Sequence, residues 1–174
     1  MRRAASVRFL TFEDAGEARH WCEEGQRRFA DYYRFTECRI WLYALKETPP
    51  DVKQAWKLYD QFVEATPPAL KPYHTLYGKM LVAMALVRAG LPDSARSVVE
   101  KSRGDASVDP THDLAYYEAL VRMLLSDQDE AVKLLSTYVA ANPQMRESIA
   151  KDETWWFRDI KSNARFKSLF GIKG

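Results

Sequence analysis

The sequence predicts an all-α fold assembled from helical hairpins, and three observations lead to it. A small residue followed three and four positions later by apolar side chains recurs four times: Ala18 with Trp21 and Cys22, Ala55 with Leu58 and Tyr59, Ala95 with Val98 and Val99, Ala131 with Leu134 and Leu135. Successive alanines lie 37, 40 and 36 residues apart. Offsets of three and four return to one helical face, and an alanine on that face lets a neighbouring helix come close. Turn residues stand at matching places around the alanines, and no strand-like alternation of any length interrupts the pattern. Only residues 7–12 read as a short extended piece.

Each alanine marks the second helix of a hairpin. Gly90-Leu91-Pro92-Asp93 and Ser126-Asp127-Gln128-Asp129 precede two of them and supply turn residues and acidic charge for a helix start. Pro67 and Pro143 each fall twelve residues after their alanine, where a proline ends the second helix and opens the link onward. The third repeat has Ser107 at that place and a longer exit loop over 104–110. First helices are expected over 32–45, 72–89 and 113–125. The chain thus divides into a half-repeat at 12–30, hairpins at 32–67, 72–104 and 113–143, and a C-terminal cap at 152–171, all in one domain spanning 1–174. In the cap, Trp155-Trp156-Phe157, Ile160, Phe166, Leu169 and Phe170 recur at three- and four-residue steps.

Ala83 and Gly90 before Ala95, and Ala119 before the run from Ser126 to Ala131 and then Pro143, resemble the tetratricopeptide repeat family over nearly the whole chain. The run Arg165-Phe166-Lys167-Ser168-Leu169-Phe170 also looks like the closing helix of such arrays in bacterial multidomain signalling proteins. Lys79 and Ala115 depart from the family pattern, which has a bulky aromatic there. The resemblance implies a right-handed α-solenoid of about three hairpins plus a leading half-repeat and a capping helix. It further implies a concave groove, lined by the first helices, that binds peptides or partner helices.

In that register the groove-facing positions are Tyr77, Met80, Met84 and Arg88, then Asp113, Tyr116, Leu120 and Met123, with Arg34 and Trp41 from the first hairpin. A lining with three methionines suits a surface that repacks around an apolar or amphipathic segment. With the helices rotated, the same residues would be core instead. Trp155, Trp156 and Phe157 form a second candidate contact, since consecutive helical residues point about 100° apart and three large rings cannot share one core face. The charged clamp used by family members that bind chaperone tails is excluded, because the chain has no Asn before Asn142.

Of the 174 residues, 47% are hydrophobic and 29% charged, and the net charge of +2 supplies no field that would gather nucleic acid or anionic lipid. Arg27-Arg28-Phe29-Ala30-Asp31-Tyr32-Tyr33-Arg34-Phe35 interleaves cations and aromatics as single-strand binders do, but Glu23, Glu24, Asp31 and Glu37 stand beside it. The 7–15 apolar residues of a typical signal peptide are interrupted by Arg8, and the apolar run 80–87 falls short of the roughly 20 residues a bilayer span requires. Cys22 and Cys38 form no CxxC pair; they are expected to be separate, buried thiols, consistent with a reducing, cytoplasmic setting and no metal. No catalytic motif is present, and His20 and Cys22 sit two positions apart on opposite helix faces, so no enzyme activity and no cofactor are expected. The expected role is a non-catalytic scaffold for protein partners. Alternatives are a structural or self-associating subunit of a larger complex, free or membrane-docked, its groove filled by its own C-terminal helix, and, more distantly, a single-strand nucleic-acid binder.

Overall fold

The computed structural model describes residues 14–172. Among them ten α-helices follow one another with no strand: α1 (Ala15–Arg28), α2 (Tyr33–Trp41), α3 (Val52–Ala65), α4 (Lys71–Arg88), α5 (Pro92–Glu100), α6 (Asp113–Leu124), α7 (Gln128–Ala141), α8 (Arg146–Ala150), α9 (Trp155–Arg158) and α10 (Ala164–Phe170). The extended piece expected at 7–12 lies outside the described residues. The chain divides into two compact units, Met1–Ser102 and Arg103–Gly174.

The anchor alanines are equivalent in detail. Ala18, Ala55, Ala95 and Ala131 each occupy the fourth position of α1, α3, α5 and α7, and each is fully buried. Each also donates its N–H to the carbonyl of the residue just before its helix, Asp14, Asp51, Leu91 and Asp127, at 2.9 to 3.1 Å. Side chains satisfy further orphan donors at two of these starts, where Asp14 accepts from the Glu17 N–H and Asp51 from the Gln54 N–H, both at 2.9 Å.

Within the first unit, α3 packs against α2 and α4, and α4 against α5. Every residue from Met80 to Leu86 is buried, so this stretch of α4 is apolar on all sides and makes α4 the central helix of this unit. Its backbone approaches α3 closely at Gly78, where a Cβ would sit 2.9 Å from Tyr59 Cδ2 and 3.1 Å from Phe62. The helix then ends through Gly90 at φ 74°, with the Leu91 N–H reaching back to the Leu86 carbonyl at 3.0 Å. Pro92 opens α5.

The cysteine expectation is overturned: Cys22 of α1 and Cys38 of α2 form a disulfide, with Cα atoms 5.7 Å apart. The two residues are sixteen apart in sequence, and the antiparallel return of α2 along α1 is what brings them together. Their reading as isolated thiols, and the reducing compartment inferred from it, therefore lose their ground. Beside the disulfide, the place a Cβ would occupy on Gly25 is filled by the Phe35 ring.

In the second unit, α6 and α7 form a hairpin whose turn repeats the one before α5. Ser126 takes φ 61°, and the Asp127 N–H bonds the Arg122 carbonyl at 2.8 Å. The buried Asp109 carboxylate caps α6 by accepting from the N–H groups of Asp113 and Leu114, both at 2.9 Å. Asn142 then ties the end of α7 to the preceding loop, donating to the Thr111 carbonyl at 2.6 Å. The C-terminal segment folds back over this hairpin: α9 lies on α6, and α10 on α7 and α8. Phe157, Ile160 and Phe166 are all essentially inaccessible.

Candidate functional site

Arg34, Glu37 and Trp41 occupy steps of three and four on α2 and so share one face. Tyr73, His74 and Tyr77 come from α4. Side-chain hydrogen bonds join the two helices: Trp41 Nε1–H donates to the Tyr77 hydroxyl oxygen at 3.0 Å, and Tyr77 O–H donates to Glu37 Oε1 at 2.6 Å. Arg34 Nη1 donates to Glu37 Oε2 at 2.9 Å. The guanidinium also lies over the Tyr33 ring, 4.9 Å from its centre.

Burial decides the division of labour in this cluster. Glu37, His74 and Tyr77 are buried, whereas Arg34, Trp41 and Tyr73 are half-exposed. Glu37 holds Arg34 and Tyr77 holds Trp41 in position. Burial alone would lower the Arg34 pKa, but the charge and hydrogen bond of Glu37 outweigh it and push the guanidinium's pKa up, so it stays cationic. His74 is driven the other way, downward, first by burial and then by the Arg34 charge, and is neutral near pH 7. Its ring is packed among Tyr33 at 5.2 Å, Phe62 at 5.3 Å and Tyr73 at 5.6 Å between centres. Its Nδ1 is buried with no hydrogen-bond partner among the described residues.

The ten residues expected to line a groove fare unequally. Arg34, Trp41 and Tyr77 meet in this cluster. Met80, Met84 and Leu120 are core, each at most 1% exposed, because α4 and α6 are enclosed on the faces that carry them. A methionine-lined groove is therefore not open. Arg88, at the last position of α4, donates to the Lys46 carbonyl at 3.0 Å. In the second unit Asp113 sits at the start of α6 and accepts from the Thr111 hydroxyl at 2.7 Å, and Met123 is half-buried. The Tyr116 ring meets Tyr138 at 5.1 Å and Phe157 at 6.2 Å, and burial pushes its phenol pKa up. That face of α6 is covered by the chain's own C-terminal segment.

Of the C-terminal aromatics, Phe157 and Trp156 are buried and Trp155 is half-buried with its ring 4.8 Å from that of Trp156. The cation-aromatic stretch near residue 30 exposes Phe29 and Tyr32, at 55% and 43%. Its two leading cations are both bound by Glu24, Arg27 at 2.6 Å and Arg28 at 2.5 Å. Among the described residues no group of three His, Cys, Asp or Glu could hold a metal ion, and no helix is long and apolar enough to cross a membrane.

Sequence reasoning missed Glu37, Tyr73 and His74. The spacing of Arg34, Glu37 and Trp41 on one face was a usable signal for the first of these. Nothing local pointed to a bond between residues 37 and 77. The second unit holds another missed feature: Glu118, fully buried, accepts two hydrogen bonds from Arg103 at 2.7 and 2.8 Å and two from Arg122, from Nη2 at 2.9 Å and Nε at 3.2 Å. Burial works to raise its pKa, and the two guanidinium groups more than reverse it, holding the carboxyl below its ordinary value.

No protein-family model matches the chain, and no curated protein or solved structure matches it significantly. The tetratricopeptide resemblance therefore rests on the sequence alone.

Proposed function

We propose that the protein is a non-catalytic scaffold of the tetratricopeptide type, a right-handed α-solenoid that binds an amphipathic segment of a partner protein. The observation that carries this reading is the α2–α4 cluster, in which partly exposed Arg34 is bonded to the buried Glu37 carboxylate, Trp41 to the Tyr77 hydroxyl, and the Tyr73 ring stacks on that of Tyr77. Tryptophan, tyrosine and arginine dominate the energetics of protein interfaces, and side chains already fixed in place lose little entropy on binding. The equivalence of the four anchor alanines supports the repeat reading. With Met80, Met84 and Leu120 in the core, the partner's segment is met by aromatic rings and one cation, so an amphipathic helix suits the surface better than a wholly apolar strand.

A second reading has its own support in the second unit. Phe157 on Tyr116 places the C-terminal segment over α6, as expected of a structural subunit whose groove is filled from within. A nucleic-acid role is disfavoured by the engagement of Arg27 and Arg28 with Glu24.

The test is quantitative affinity purification from the cell that makes the protein, comparing wild type with Arg34→Ala/Trp41→Ala and with the exposed control Lys57→Ala, after circular dichroism shows equal helix content. Partners recovered with wild type and control should fall at least about tenfold with the double variant. Equal recovery from all three proteins would refute the assignment of this face.

A further inference from the structure

The anchor alignment exposes an exception at the start of the array. Four residues after the anchor, α3, α5 and α7 bury Tyr59, Val99 and Leu135, whereas α1 has Cys22. Seven residues after it, α3 and α7 bury Phe62 and Tyr138, whereas α1 has Gly25. The buried face of α1 is Ala15, Ala18, Cys22 and Gly25, and its single large apolar side chain, Trp21, is half-buried. Hydrophobic stabilisation scales with apolar area removed from water, so this helix is held far more weakly by burial than α3 is. Where its sister helices use a large side chain, α1 uses a covalent bond to Cys38.

We propose that the Cys22–Cys38 disulfide is a reversible redox latch, a site of thiol–disulfide exchange that decides whether α1 stays docked on α2. Access sets the order of events. Cys38 is partly exposed and Cys22 is 1% exposed, so an incoming thiolate attacks the Cys38 sulfur, the more accessible of the two. The S–S bond breaks, and Cys22 leaves as a thiolate and takes up a proton. A second thiol then attacks the mixed disulfide at the reductant's sulfur and releases Cys38, which is protonated in turn. Two thiols have become one disulfide, and the two electrons and two protons reside on the cysteines. The reductant's chemical class is a thiol of the glutathione kind.

Reduction removes the cross-link and leaves α1 attached through small side chains and the Phe35 ring that fills the space beside Gly25. The helix then frays from α2, which carries Arg34, Glu37 and Trp41 on its length. α1 is thereby released without unfolding the elements beyond α2, since in repeat proteins each element is stabilised chiefly by its neighbours.

The experiment uses the full chain in glutathione buffers running from mostly oxidised to mostly reduced, with free thiols trapped by alkylation and counted by mass spectrometry. Amide hydrogen exchange is followed in the same samples. The expected result is that both thiols appear within the buffer series and that amides of α1 then exchange at least about tenfold faster, while those of α3 keep their rate. The latch is overturned if no thiols appear across the series, if α1 exchange is unchanged on reduction, or if α3 loses protection together with α1. Cys22→Ala/Cys38→Ser in oxidised buffer should reproduce the exchange pattern of the reduced wild type. If that variant does not fold, the reduced wild-type protein decides the question by itself.

Discussion

Replacing Glu118 with alanine tests how the second unit is held together. The carboxylate is fully buried between Arg122, whose side chain is 6% exposed, and Arg103, whose side chain is 51% exposed. Removing it leaves the half-exposed Arg103 near Glu130 at 4.0 Å, whereas Arg122 stays enclosed beside Asp127 at 3.3 Å. Breaking a buried ion pair by deleting one partner costs about 3 to 5 kcal/mol, because the remaining charge stays desolvated. Glu118→Gln keeps the shape and some hydrogen bonds and should cost less, about 1 to 3 kcal/mol. The sign with pH follows from the lowered pKa of Glu118. A carboxyl more acidic in the folded than in the unfolded chain contributes stability above its ordinary pKa, lost as pH falls through the folded value. The gap between wild type and Glu118→Gln should therefore be full at pH 7 and shrink as pH falls below about 4.5. Urea unfolding followed by tryptophan fluorescence, at a series of pH values from 7 to 3, measures both quantities. A loss under about 1 kcal/mol for Glu118→Ala, or a gap for Glu118→Gln that is the same at every pH, would refute the reasoning.

Three further outcomes are expected. Ser126 sits at φ 61° in the turn where the preceding hairpin has Gly90, so Ser126→Gly should stabilise the second unit by about 0.4 to 1 kcal/mol in the same urea assay; a loss would show that the Ser126 side chain contributes something the turn geometry does not reveal. Gly25→Ala places a methyl where the Phe35 ring lies and should cost about 1 to 3 kcal/mol, with Phe35→Leu recovering part of it; thermal unfolding of the single and double variants shows whether it does. Phe157→Ala should cost about 3 to 5 kcal/mol, since the ring is fully buried against Tyr116 and Phe166, and proteolysis should then begin in the C-terminal segment rather than in α3.

The candidate site was half-legible. Arg34 and Trp41 could be placed together because a helix face is a local property, with steps of three and four deciding which side chains are neighbours. Tyr77 could be placed on a facing helix from the repeat register. That Glu37 is the group they converge on, and that His74 is buried beside it, required knowing how α2 and α4 are rotated against each other. The methionines illustrate the same point in reverse. Met80 and Met84 satisfy the groove register, yet α4 is enclosed on every side from Met80 to Leu86, and enclosure depends on neighbours that periodicity does not describe. The disulfide is the plainest case, since sixteen residues of separation carry no pairing information until the chain turns back at residues 29–32.

From the order of residues alone came the helical class, four helices each with a buried alanine at its fourth position, the turn before α5 and the prolines just after α3 and α7. Each of these depends on backbone torsions and on contacts within a few residues, energies that a stretch of chain expresses wherever it is placed. Tertiary structure alone decided which helical faces close against which. It thereby chose the hydrogen-bond partners of Tyr77, the burial of Glu118 between two arginines, and the covalent bond that stands in for a missing apolar side chain on α1. Those choices turn on distances between residues far apart in the chain, set by packing as a whole and not by any one segment.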